Sequence, residues 1–168
     1  MKKNILWFIT VAACALLQTT WPDTLKLQGV LPDLPLLLVV YFAVMDGEER
    51  AMFTGLIGGI YQDVASNAAL GHHVFCLVAL AYFVGRISTR LITEHPAVKA
   101  GLVFLAAVGA GVLYVCIQYV QQPALGALEP VLTSVIPSAF YTAVITPMMF
   151  YVMSWIFHPK KASIGGLA

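Results

Sequence analysis

An all-α integral membrane protein, folded as a six-helix transmembrane bundle, is predicted by three features of the sequence. The 168-residue chain is 60% hydrophobic and 10% charged, against roughly 45–50% and about 25% in soluble domains. Its charges are segregated: residues 4–22, 34–45, 64–85, 100–128 and 130–159 contain none. These gaps are continuously apolar rather than strictly alternating, which excludes an outer-membrane barrel. A net charge of +1 with no basic cluster argues against nucleic acid as a partner.

A hydrocarbon core of ~30 Å takes about 20 helical residues per crossing. The chain therefore has room for six crossings with short connectors, read as a single transmembrane domain over residues 1–168. The first helix, residues 5–21, follows Lys2 and Lys3 and closes on Trp21-Pro22. The segment also imitates an export signal, because Val11-Ala12-Ala13-Cys14 has the form of a lipoprotein cleavage box. The residues after Cys14 stay apolar, so the segment is expected to remain as an uncleaved anchor. The second helix, residues 31–45, starts at Pro32 and Pro35, where a missing amide donor is tolerated. The third spans residues 51–70, the fourth 74–86 and the fifth 98–119, where Ala106-Ala107-Val108-Gly109-Ala110-Gly111 makes a smooth packing surface. The sixth, residues 131–157, is expected to bend at Pro137 and Pro147. The short second helix leaves one alternative, a re-entrant hairpin over residues 34–62. That hairpin would put Asp46, Glu48, Glu49 and Arg50 near the midplane at about 2.5–3.5 kcal/mol each, so six crossings are favoured.

Basic residues resist translocation and fix sidedness. With the N-terminus in the cytoplasm, Lys2, Lys3, Arg50, Arg86, Arg90, Lys99, Lys160 and Lys161 all lie inside, and of the 9 Lys and Arg residues only Lys26 lies outside. Both termini are then cytoplasmic, and the external connectors are residues 22–30, 71–73 and 120–130. Trp7, Tyr151 and Trp155 suit the inner aromatic belt and Trp21 the outer one.

The third helix carries the most information. At 100° per residue, Gly55, Gly59, Gln62, Asp63, Ser66 and Leu70 share an arc of about 100°, with Phe53, Ile57, Ile60 and Val64 opposite. Gly55-x-x-x-Gly59 lets a neighbouring backbone approach closely, so this is a helix-packing or partner face, with packing inside the chain the preferred use. Counted from Ala51, Asp63 rises roughly 18 Å into the core. An ionisable residue at that depth pairs with something and marks a functional site by default. Lys26, His73 and the hydroxyls of Tyr41 and Tyr82 are candidate partners. The competing reading is that the helix ends early and Asp63 caps at the interface.

Elsewhere the signals are structural. Cys14, Cys76 and Cys116 sit in apolar spans without CxxC spacing and read as packing residues. Adjacent His72 and His73 diverge and lack further ligands at metal-site spacing, so no metal is expected. His95 reads as a solvated loop residue and His158 as an interfacial one. No nucleophile elbow, P-loop or His-Glu-x-x-His motif occurs, so neither catalytic residues nor a cofactor is assigned. A lone carboxylate with no second acid, base or nucleophile makes an intramembrane enzyme built on Asp63 a poor prospect.

Leu16-Leu17-Gln18 leading to Trp21-Pro22, Leu31-Pro32-Asp33 opening an apolar helix through Tyr41, then Gly55, Gly59 and Asp63, then Leu70-Gly71 and Tyr82, together resemble the MreD family of bacterial rod shape-determining membrane proteins. Gln18, Pro32, Asp33 and Gly71 are motif positions in that resemblance, which covers roughly residues 16–86; the remainder matches in hydropathy. Phe53 departs from it, since the family more often has a small residue there, and His72-His73 is not a family feature. The resemblance implies a non-enzymatic scaffold of cell-wall elongation in the cytoplasmic membrane. Its implied partners are MreC, the RodA polymerase with its transpeptidase, membrane lipid and, indirectly, MreB filaments.

The resemblance also implies a fold similar to the substrate-binding subunit of energy-coupling-factor vitamin transporters, and that subunit is the leading alternative function. Its first helix typically carries Ala-x-x-x-Ala, whereas Ala12, Ala13 and Ala15 are followed four residues later by Leu16, Leu17 and Thr19. A vitamin pocket also needs several convergent polar groups, and the external connectors offer few.

Overall fold

The computed structural model describes residues 2–20, 31–66, 71–88, 95–121 and 128–157. The expectations for Trp21, Pro22, Lys26, Leu70, Arg90, His158, Lys160 and Lys161 fall outside these residues. The architecture is all-helical: α1 (Lys2–Thr19), α2 (Leu34–Met45), α3 (Glu48–Ala65), α4 (His72–Ser88) and α5 (Pro96–Gln121) are followed by a single turn, Leu128–Pro130, and a π-helical turn, Val131–Val135, that leads into α6 (Ile136–Phe157).

Several boundaries differ from the expected ones, and those of α2 and α3 bear on the site. α2 begins after Asp33, whose side chain caps it by accepting from Leu36 N at 3.0 Å, so residues 31–33 lie outside the helix. α3 starts at Glu48 rather than Ala51 because Gly47, at φ +96°, makes the turn after α2, and Glu48 and Glu49 suit the positive end of the helix dipole. It ends at Ala65 and not Leu70. Counted from Glu48, Asp63 rises about 22 Å along the helix, closer to the far end than its position relative to Ala51 suggests. The sixth helix opens with a π-helical segment, Val131–Val135, that runs on into α6, with Pro137 in the first turn of α6 and Pro147 within it.

α5 and Val131–Phe157 are long and apolar enough to cross a membrane by themselves, while α1, α2 and α4 have shorter apolar stretches. At 12 residues, α2 is only about 18 Å long. Every residue of α2 from Leu34 to Ala43 is buried, and the helix touches each of the other five long helices. Its apolar surface is met by protein on all sides, as expected for a helix hydrophobic all round, so it need not match lipid thickness. Tyr41 and Phe42 anchor the core through edge-to-face contacts with Phe150 and Phe157 at 5.1 and 5.3 Å. The outer faces are as apolar as the centre: Phe53, Ile60 and Val64 of α3, and Phe140, Val144, Met148 and Trp155 of α6, are all exposed.

Polar side chains collect at the two ends. At one end, Arg50 reaches Asn4 of α1 at 2.6 Å and Asp46 at 3.5 Å, Arg86 of α4 reaches Glu48 at 3.5 Å, and Trp7 donates to Thr54 at 2.9 Å. The opposite end holds the cluster described next.

Candidate functional site

Close approach of α3 to its neighbours places this cluster. A Cβ at Gly55 would lie 3.0 Å from the Leu77 backbone, one at Gly59 2.5 Å from Val74 Cα, and one at Gly58 3.1 Å from Pro35. The backbones of α3 and α4 therefore touch along Gly55 and Gly59, and α2 rests on Gly58. The lipid-like face is Phe53, Leu56, Ile60 and Val64, whereas Ile57 turns partly inward against the core.

One turn beyond Gly59, Asp63 is 1% exposed. Its carboxylate accepts from Gly71 N at 2.7 Å, His73 N at 2.9 Å, Val74 N at 3.5 Å and His73 Nδ1 at 2.9 Å. The first amides of a helix have no partner within it, so α3 supplies from its side chain the cap that α4 lacks. The negative charge also sits at the positive end of the α4 dipole. Gly71, at φ +108°, makes the turn that points these amides at the carboxylate. Among the candidate partners of Asp63, His73 takes the position. Tyr41 packs edge-to-face against Phe42 and Phe150, and Tyr82 lies exposed beneath Arg86.

Asp33 organises the start of α2 in the same way. Its Oδ1 accepts from Leu36 N and from Gln62 Nε2, both at 3.0 Å, and its own N–H donates to Thr142 Oγ1 at 3.0 Å. Leu34 N donates to Gln18 Oε1 at 3.1 Å, and Ser138 Oγ to Leu31 O at 2.9 Å. The α2 terminus is thus tied to α1, α3 and α6, and Pro32 is buried beside it.

Gln18, Asp33, Gln62, Asp63 and Gly71, scattered over three predicted helices and a connector, therefore meet at one end of the bundle. Ser66 does not join them: it is exposed and donates to Gln62 O at 2.7 Å. Sequence reasoning named His73 as one of four candidate partners of Asp63, and it missed Ser138 and Thr142. The signal for the last two was Ser138, Thr142 and Thr146 at i, i+4 spacing, a polar stripe on an otherwise apolar helix. Cys14 and Cys76 are buried and Cys116 is exposed. His72 Nε2 lies 2.9 Å from Gln121. Among the described residues no group of three or more His, Cys, Asp or Glu could hold a metal ion. The arrangement is chemically a set of interlocking helix caps.

The family model for rod shape-determining protein MreD matches residues 1–160. Neither the curated proteins nor the solved structures contain a match to the chain. The family match runs through every helix described above, including the second half, where only hydropathy had pointed the same way, and the chain therefore belongs to the MreD family of rod shape-determining membrane proteins.

Proposed function

We propose that this chain is a non-enzymatic scaffold of the machinery that elongates the bacterial lateral wall, crossing the cytoplasmic membrane six times with both termini inside. It binds MreC within the bilayer and links it to the RodA polymerase with its transpeptidase and, indirectly, to MreB filaments. The observation that carries this reading is the family match over residues 1–160. The same match leaves the vitamin-transporter alternative without support.

The geometry agrees with a role exerted through helix sides. The Asp63 carboxylate is occupied by four donors, so it has little capacity left to act as a base. Gly55 and Gly59 are covered by α4, which supports packing within the chain as the use of that face. A partner helix then meets an outer face such as Phe140, Val144 and Met148 of α6. The hydrogen bond and ion pairs that gather Asn4, Asp46, Glu48, Arg50 and Arg86 at one end support a cytoplasmic position for that end by the positive-inside argument.

The test is gentle detergent purification of the tagged protein with mass spectrometry of what accompanies it. MreC in stoichiometric amount is the expected result. An ATPase pair with a coupling protein would overturn the scaffold reading. Depletion that leaves rod morphology intact while uptake of a nutrient collapses would overturn it as well.

A further inference from the structure

Beside the capping cluster lies a half-open cavity of about 340 Å³, lined by residues of α2 to α6 and the π-helical turn. Its polar lining is Asp33, Gln62, His73, Tyr114, Ser134 and Ser138, and its apolar part includes Leu36, Leu77 and Ala110. The polar groups come from helix ends, not from the connectors.

The hydrogen-bond inventory of this lining is unbalanced. Gln62 Oε1 is fully buried and has no hydrogen-bond partner among the described residues. Its orientation is fixed, because exchanging the amide O and N would turn the oxygen toward Asp33 Oδ1, which now accepts from Nε2. Both donors to the Asp33 carboxylate go to Oδ1, which leaves Oδ2 without a hydrogen bond among the described residues. His73 directs Nδ1 to Asp63. A carboxylate there can only accept, so Nδ1 carries the hydrogen and Nε2 of the neutral ring is a further acceptor. Among Asp33, Gln62 and His73 the surplus is of acceptors, the hydroxyls of Tyr114 and Ser134 can donate as well as accept, and the lining contains neither Lys nor Arg. A second observation points to the same place. Ser134 and Val135 belong to the π-helical turn, and π-turns inside α-helices are frequent at functional sites.

We propose that this cavity binds a small amine whose primary ammonium lies among Asp33, Gln62 and His73 and whose body is compact and apolar. A primary ammonium presents three donors and no acceptor, which complements the surplus. An anionic or phosphate-bearing body would find no cation in the lining, and the side chains of Leu36, Leu77 and Ala110 suit a short aliphatic or aromatic group. The site stands independently of the scaffold reading, since it rests on the cavity alone.

The test uses the full-length protein in detergent, with n-hexylamine as the probe and thermal shift and calorimetric titration as readouts. Saturable stabilisation by n-hexylamine is expected. n-Hexanol, which lacks the charge, and N,N,N-trimethylhexylammonium, which lacks the donors, should each bind at least tenfold more weakly. Asp33→Asn keeps a capping oxygen and should weaken n-hexylamine at least tenfold, as should Gln62→Leu. If Gln62→Leu does not fold, Ala110→Leu, which fills the cavity with every polar group in place, should abolish binding. Equal binding of n-hexanol and n-hexylamine, or undiminished binding by Asp33→Asn, overturns the proposal. Phosphatidylethanolamine retained at one per chain and displacing n-hexylamine also overturns it, by showing that the ammonium belongs to a lipid.

Discussion

Replacing Asp63 with Asn changes almost no volume but converts one carboxylate oxygen into a donor. At present Oδ1 receives His73 N and His73 Nδ1, both at 2.9 Å, and Oδ2 receives Gly71 N at 2.7 Å and Val74 N at 3.5 Å. Whichever way the amide turns, one pair of donors faces an NH2 group. Hydrogen bonds to a charged acceptor contribute about 1.5–3 kcal/mol each, and a donor left buried without a partner costs about 1–3 kcal/mol. Neutral interhelical bonds in membranes average about 0.6 kcal/mol, which sets the lower limit for the bonds that survive without the charge. One strong bond lost and the remainder weakened gives a destabilisation of about 3 kcal/mol, more than a hundredfold in the unfolding equilibrium. Two measurements check it. Reversible unfolding in mixed SDS and mild-detergent micelles reads the energy, and hydrogen exchange reads its place, with protection lost at the amides of Gly71, His73 and Val74 before the rest of α4. A variant within about 0.5 kcal/mol of the parent, with unchanged exchange at those amides, would refute the capping argument.

Other expectations follow from the same geometry. Gly59→Ala brings a Cβ within 2.5 Å of Val74 Cα and 2.7 Å of Val74 N. Backbone must move, at about 1–3 kcal/mol, whereas Gly101→Ala, with nothing within 4 Å, should be neutral or slightly stabilising in the same unfolding assay. Thr142→Val removes the hydroxyl that accepts from Asp33 N and should cost about 0.6–2 kcal/mol, with faster exchange at the Asp33 amide; normal exchange there would place the α2 tether elsewhere. A single cysteine at position 48 should react with membrane-impermeant thiol reagents from the cytoplasmic side only, and protection from both sides would revive the re-entrant hairpin.

Local composition was enough to reveal the helices themselves, because charge-free apolar runs and their Gly, Pro and charged punctuation are read directly along the chain. Residue spacing also separated the small-polar and lipid-like faces of α3. The ends were less legible: Asp33 moves the start of α2 and Gly47 advances that of α3 through turns of only a few residues. His73 stood as one of four candidate partners of Asp63, because nothing around it in the sequence says that its ring, rather than Lys26, Tyr41 or Tyr82, meets that carboxylate. Ser138 and Thr142 passed as ordinary residues of an apolar helix because their partners, Leu31 and Asp33, lie more than a hundred positions away.

The sequence by itself determined that the chain is a bundle of apolar helices with its charge confined to their ends, since the cost of exposing or burying a side chain depends first on what that side chain is. Only the tertiary structure decided that α2 is enclosed on every side, that Asp63 caps α4 rather than its own helix, and that Asp33, Gln62 and His73 line one cavity. Those outcomes depend on distances between segments remote along the chain. Such distances are fixed by how closely backbones approach at Gly55, Gly58 and Gly59, a property of paired surfaces that no single helix contains.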